Sequence, residues 1–357
     1  MACQTAGRGA ISIGLRGQLP LHEPLPQDCP NPRGYNFAPD INVTSSAGIM
    51  QFKADLLAYV NRSVEYCIEY MGDGGSGPAA CQGILVWSLE GQQYPQDISY
   101  VGDPRLLAAH APEMDAAADD MFRLITGAGL RCGMTLRPQQ WTQNPEWNPQ
   151  MPPDRPPFRY TQRNLLHPDN TSDIAGTSAL LVAKASYAYK RWGCTMFYVD
   201  TTVCDPCPGH TIPAEVWYNV HAAMPHCVLF PEESTFASRA VVAPLQNNWG
   251  GSAIATPYAA TALYGRDAWS FGLMQFPPGG TPAGSQPVFA NHSLLEEYSA
   301  LVRRGDSMLV DPWYNNTVNV FVKRAYELVQ AAGGGGSWVP LQAARLDHDQ
   351  TFNSVKP

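Results

Sequence analysis

Two short apolar runs in this chain each end on an acidic side chain. Cys194-Thr-Met-Phe-Tyr-Val199 runs into Asp200, and His226-Cys-Val-Leu-Phe-Pro231 runs into Glu232 and Glu233. Runs this short, rich in β-branched and aromatic residues, read as buried parallel strands. Helical spacing from Pro213 to Met224 separates them, so the unit is strand, helix, strand. In parallel α/β folds the chemistry lies beyond the carboxyl ends of the strands. Carboxylates at two neighbouring strand ends would face one cavity, and such a pair is what hydrolysis of a glycosidic bond requires. Asp200 is the stronger candidate. Asp is a favoured helix N-cap, but the next helix begins near Pro213, too far along for Asp200 to cap it. Glu232 comes first after its strand and is preferred to Glu233, which could instead head a helix or pair with an Arg.

Other strand ends carry further candidates. Glu90 closes the run Gly83–Leu89, which contains Trp87; it would bind substrate hydroxyls, or form a salt bridge to Arg137. Arg137 closes a third run and is followed by Pro138 and Gln139; it could orient a carboxylate or hold an anionic sugar. Asp311 and Trp313 follow a late strand and would complete a pocket wall. The segment Cys204-Asp-Pro-Cys207-Pro-Gly-His210 has metal-ligand spacing, with His221 or Cys227 as a fourth ligand. A local disulfide is the preferred reading of those cysteines. No His-Glu-x-x-His, Gly-x-Ser-x-Gly or Walker sequence occurs, which sets aside hydrolytic zinc centres, serine hydrolases and P-loop enzymes. The expectation is chemistry run by side chains alone, with no metal and no cofactor.

The elements that must position these residues alternate along the chain. Strands are expected at 10–16, 83–89, 129–136, 194–199, 226–231, 252–256, 268–276 and 307–310, the sixth being the poorest. Helical spacing fills 52–71, a stretch ending at Ile125, 174–192, 213–224, 294–303 and 318–331. Eight strands alternating with helices in a chain of this length predict a (β/α)8 TIM barrel with long loops at the carboxyl-end face of the strands. Residues 1–332 would form that single barrel and 333–357 a Gly-rich C-terminal tail. The Pro- and Trp-rich stretch after Trp141, to about Ser172, would be a lid or cleft wall. A doubly wound open sheet is the runner-up, disfavoured because no Gly-x-Gly-x-x-Gly follows the first strand.

Composition narrows the partners. A net charge of −8 argues against nucleic acid or an anionic membrane surface, and no apolar run is long enough to span a bilayer. Five Asn-x-Ser/Thr sequons, at Asn42, Asn61, Asn170, Asn291 and Asn315, accompany nine cysteines. Together they favour a secreted or lumenal glycoprotein with disulfide bonds, although the first residues lack the apolar core of a signal peptide. The sequence is silent on oligomeric state.

Two stretches carry a resemblance. Ala128-Gly-Leu-Arg-Cys-Gly-Met-Thr-Leu-Arg-Pro138 resembles the third-strand segment of α-galactosidase-like glycoside hydrolases. Ala188-Tyr-Lys-Arg-Trp-Gly-Cys-Thr-Met-Phe-Tyr-Val-Asp200 is similar to their fourth-strand segment, whose terminal Asp is the nucleophile. The resemblance covers about residues 83–200 and implies a barrel glycosidase in which Asp200 attacks and Glu90 binds sugar hydroxyls. Those enzymes carry the acid/base on strand six, where this chain has no carboxylate before Asp267. The α-amylase-like hydrolases pair a strand-four Asp with a strand-five Glu, which matches Asp200 and Glu232 better. The expected activity is therefore cleavage of O-glycosidic bonds in an oligo- or polysaccharide. The rivals are a carbohydrate-binding barrel without turnover, and a metal-dependent barrel hydrolase or lyase using Cys204, Cys207 and His210.

Overall fold

The computed structural model describes residues 9–14, 35, 41–43, 45–71, 81–91, 101–143, 160–163, 173–200, 212–232, 235–243, 245–247, 271–274 and 307–310. Within these, eight strands form one parallel sheet: β1 (Gly9–Gly14), β2 (Cys81–Trp87), β3 (Arg131–Leu136), β6 (Met196–Val199), β7 (Val228–Pro231), β8 (Leu245–Asn247), β9 (Phe271–Met274) and β10 (Ser307–Val310). Two further strands, β4 (Gln140–Gln143) and β5 (Tyr160–Arg163), pair antiparallel as a separate ribbon. The fold class is α/β.

Strand order carries the topology. Across the sheet it runs β7-β6-β3-β2-β1-β10-β9-β8. Every neighbouring pair is consecutive among the parallel strands except β1 with β10, where the first strand meets the last. An open doubly wound sheet instead sets its first strand beside one from mid-chain. Right-handed crossovers that always step in one direction keep their helices on one face of the sheet. The helices obey this: α1 (Ser46–Met71) packs on α3 (Pro112–Gly127), α3 on α4 (Ile174–Trp192), and α4 on α5 (Ala214–Ala223). At the far edges, Ala243, two residues ahead of β8, donates its N–H to the Leu229 carbonyl of β7 at 2.8 Å.

Alternation along the strands separates two buried layers. Ile84, Val86, Cys132, Met134, Leu136, Phe197, Val199 and Leu229 join the helix residues Phe52, Leu56, Met121, Phe122, Leu181 and Val216 in one continuous core. The intervening residues Leu85, Trp87, Met196, Tyr198 and Phe230 are outside that cluster, yet all are 9% exposed or less. Both faces of the strands are therefore covered, as their uninterrupted apolar runs require. Close approach of β3 to β6 depends on Gly133, where a Cβ would lie 2.3 Å from the Met196 carbonyl oxygen. The Met196 thioether reaches on toward Gly83, whose Cβ would meet its Cε at 2.5 Å.

Two expectations change. The sheet position beside β9 belongs to Leu245–Asn247, ahead of the sixth strand expected at 252–256, which is outside the described residues. Its three-residue length, directly after Pro244, explains the weak signal. The aperiodic stretch after β3 holds the β4/β5 ribbon, with Trp141 of β4 buried against Val101. The helices expected over 294–303 and 318–331, the 277–287 loop and the 333–357 tail lie outside the described residues.

Cys132, Cys194 and Cys227 are free buried thiols, so the disulfide expectation does not extend to them. The Cys132 and Cys194 sulfurs sit 3.6 Å apart, far beyond bonding distance. They fill the helix-facing layer as small apolar groups. Burial pushes the Cys227 thiol up to about 12. Asn42 and Asn61 are exposed. Among the described residues, no helix is long and apolar enough to cross a membrane.

Candidate active site

The layer away from the helices leads to the acidic residues. Thr135, Tyr198 and Phe230 are in register on β3, β6 and β7, and Trp87 continues that row on β2. Because Thr135 is small, the Trp87 and Tyr198 rings meet across it at 4.4 Å, and Tyr198 lies 5.9 Å from Phe230. Two positions further along each strand, on the same face, come Arg137, Asp200 and Glu232. The ladder continues through them: Asp200 donates its N–H to Leu136 O and Glu232 its N–H to Val199 O, each at 2.9 Å. An aromatic floor thus underlies a row of one cation and two carboxylates at adjacent strand ends.

Arg137 grips Asp200 from one side. Its Nε and Nη2 donate to the same carboxylate oxygen, Oδ2, at 3.1 and 2.9 Å. The other oxygen, Oδ1, faces the Tyr198 hydroxyl at 3.5 Å, the outer limit of a hydrogen bond. Burial pushes the Tyr198 hydroxyl well above its ordinary value, and the negative charges of Asp200 and Glu232 push it further. It therefore remains a protonated donor beside both carboxylates. The guanidinium and carboxylate are 11% and 14% exposed, enough shelter to give the pair more weight than a surface salt bridge. Asp200 does not cap the following helix, because α5 starts at Ala214 with Pro213 in the N-cap position.

A second polar cluster lies behind Arg137. Lys184 of α4, with no exposed surface, donates from Nζ to the backbone oxygens of Arg137 at 2.7 Å and Gln139 at 2.8 Å. It also lies 3.5 Å from Asp103 Oδ2. Burial pulls the ammonium down to about 8, against the pull of Asp103 in the other direction. Asp103 is held by the Arg105 fork, Nε to Oδ1 at 2.9 Å and Nη2 to Oδ2 at 2.7 Å. Burial raises the Asp103 carboxyl, but the hydrogen bond from Arg105 and the charges of Lys184 and Arg105 leave it below its ordinary value. Glu90 accepts the Asp103 N–H at 3.1 Å, and burial pushes its carboxyl upward. A tight turn sets Glu90 there: Gly91 donates to Ser88 O at 2.8 Å, with Ser88 in the left-handed region at φ 54°. That conformation costs a non-glycine residue about 1 kcal/mol.

The expected site residues thus separate into groups. Asp200, Glu232 and Arg137 come together, with Trp87 in the floor beneath them. Glu90 and Gln139 are buried on the Lys184 side, Glu90 through its carboxylate and Gln139 through its backbone oxygen. Glu233, Asp311, Trp313, Cys204, Cys207 and His210 lie outside the described residues. Among the described residues no group of three or more His, Cys, Asp or Glu is arranged to hold a metal. Tyr198, Asp103 and Lys184 were not anticipated. Lys184 had a signal: it occupies the buried stripe Thr177, Leu181, Ala185, Ala188 of α4, where a cation is out of place unless it has partners. Tyr198 also had one, since it precedes Asp200 by two positions and so shares its strand face.

No protein-family model and no curated protein matches the chain. Among solved structures it is similar to a GH27 β-L-arabinopyranosidase from Geobacillus stearothermophilus, in complex with arabinose, at 12% identity over 75% of this chain and 70% of that one, TM-score 0.49. It is similar to a debranching enzyme from Nostoc punctiforme at 10% identity over 91% and 81%, TM-score 0.47. It is also similar to the maltogenic α-amylase AmyB from Thermotoga neapolitana at 9% identity over 91% and 76%, TM-score 0.45. These similarities single out no one family.

Proposed function

We propose that the sheet closes into a (β/α)8 barrel and that its mouth hydrolyses O-glycosidic bonds of an oligo- or polysaccharide. Closure is supported by the strand order, by the one-sided helix layer and by the Ala243–Leu229 hydrogen bond between the edges. Among the described residues the helices pack on one face only, and a closed sheet would bury the opposite face of Trp87, Tyr198 and Phe230 against itself. The reaction rests on one observation: Asp200 and Glu232 are in-register neighbours on the face away from the helices, with Arg137 on one oxygen of Asp200. Parallel neighbours stand about 4.8 Å apart. Side chains that leave backbones this close can bring their carboxyls to the roughly 5 Å separation of a retaining mechanism, which is the mechanism we propose.

Asp200 would attack the anomeric carbon through Oδ1 while Arg137 holds Oδ2 and spreads the charge. Glu232 would protonate the leaving oxygen, then take a proton from the water that releases the sugar. Trp87 and Tyr198 would form the apolar floor under the ring. The test is a panel of aryl glycosides with wild type, Asp200→Asn and Glu232→Gln. Asp200→Asn should lose about 1,000-fold or more in kcat on any substrate cleaved. Glu232→Gln should keep most of kcat/KM with dinitrophenyl leaving groups, which need no proton, while its kcat falls because the water of the second step loses its base. Full rate in both variants would remove the assignment, and sugar binding without turnover by wild type would favour a binding barrel.

A further inference from the structure

We infer that Lys184 is a positioning residue: it fixes the turn at the end of β3 so that Arg137 presents its guanidinium to one oxygen of Asp200. Two of the ammonium's N–H groups are placed on Arg137 O at 2.7 Å and Gln139 O at 2.8 Å, and Asp103 Oδ2 stands 3.5 Å away as its counter-charge. The two carbonyls flank Pro138, so one side chain draws both ends of the turn to a single point. The same turn is held from its other side, where the Arg137 N–H donates to Gly102 O at 3.0 Å. Gly102 has φ +63°, and a Cβ there would lie 2.7 Å from the Arg137 nitrogen, so that approach depends on glycine. Asp103 is in turn fixed by the Arg105 fork and through its own N–H by Glu90. The ends of β2 and β3 and the middle of α4 thereby meet at the backbone of the residue that grips Asp200.

A merely structural side chain would not need the charge. Methionine matches the length of lysine and would fill the same volume of α4 without the several kcal/mol of desolvation an ammonium carries. It would supply no donor to the two carbonyls. What Lys184 adds over methionine is therefore a fixed backbone at Arg137, and a fixed guanidinium follows from it.

This assignment rests on the nucleophile reading of Asp200, and the experiment separates the two. Kinetics on the best aryl glycoside of the panel would compare wild type with Asp200→Asn, Lys184→Met and Ile125→Ala. The last is a buried substitution in α3, with no part in the site, that lowers stability. Lys184→Met should lose about 10- to 100-fold in kcat, as for a misaligned catalytic group, with KM within about threefold. Ile125→Ala should keep the wild-type kcat at a temperature where both are folded. If Lys184→Met does not fold, Asp103→Asn takes its place and should also lower kcat without moving KM. Wild-type kcat in the folded Lys184 variant, or in Asp103→Asn, overturns the positioning role while an inactive Asp200→Asn leaves the nucleophile standing. Full activity in Asp200→Asn overturns both.

Discussion

Replacing Gly133 by alanine is the most demanding test of how the two halves of the site are brought together. An ideal Cβ at this position lies 2.3 Å from the Met196 carbonyl oxygen and 2.6 Å from the Met196 Cβ. Ordinary contact begins at 3.4 Å, so β3 and β6 must part by the difference between 3.4 and 2.3, about 1 Å. Neither obstructing atom belongs to the mobile end of a side chain. The cost therefore falls at the upper end for overpacking, about 3 kcal/mol. Gly133 is also four residues from Arg137, on the strand that carries it to Asp200, so kcat should fall together with stability. Gly127→Ala is the internal control, because nothing lies within 4 Å of its Cβ and it ends α3. It should be neutral or add about 0.5–1 kcal/mol from helix propensity. Urea unfolding of the three proteins reads both effects. A Gly133→Ala midpoint equal to wild type would refute the packing argument.

Other predictions follow from single contacts. Burial pulls the Lys184 ammonium down to about 8 from an ordinary 10.5, so the unfolded chain holds the extra proton between those values and the contribution of Lys184 to stability rises with pH across that window. The lysine's share should approach about 3 kcal/mol, at about 1.4 kcal/mol per pH unit. The buried Cys227 thiol, raised in the fold, acts in the opposite direction in both proteins. The rise is therefore read as the difference between wild type and Lys184→Met in urea unfolding at about pH 7.5 and 10, and equal pH dependence would contradict it. Tyr198→Phe keeps the ring on Trp87 and removes only the hydroxyl facing Asp200, so stability should change by about 1 kcal/mol or less. Its kcat should fall less than that of Asp200→Asn, a ranking read from the same glycoside assay. Phe122→Ala removes a fully buried ring stacked on Trp192 at 4.7 Å and should cost about 3–5 kcal/mol in denaturant unfolding.

Much of this arrangement was legible where burial imposes a pattern. Apolar runs ending on a charged residue located β2, β3, β6 and β7 to within two or three residues, and β10 at its full span. Asp200 and Glu232 were visible for the same reason, since a carboxylate directly after a buried run must lie where the strand meets solvent. What the pattern could not show is set by long-range contacts. The strand beside β9 is Leu245–Asn247, which is too short for any period to register, whereas the sequence pattern pointed to 252–256. The β4/β5 ribbon joins segments separated by 16 residues with no shared local signal. Arg137 was expected to pair with Glu90 or orient a carboxylate; strand register decides where its guanidinium goes, and it goes to Asp200. The buried Glu90–Asp103–Lys184 cluster brings together three residues from separate elements, and only the misplaced cation in α4 hinted at it.

Covalent trapping tests the central claim most directly. Incubating the protein with 2-deoxy-2-fluoroglycosyl fluorides of the sugar it cleaves slows release of a glycosyl-enzyme, which peptide mass mapping then locates. The retaining mechanism predicts one fluorosugar on the peptide that contains Asp200, and none in Asp200→Asn. Cleavage of glycosides with the label on another carboxylate, or with no label and an inverted product, would contradict it.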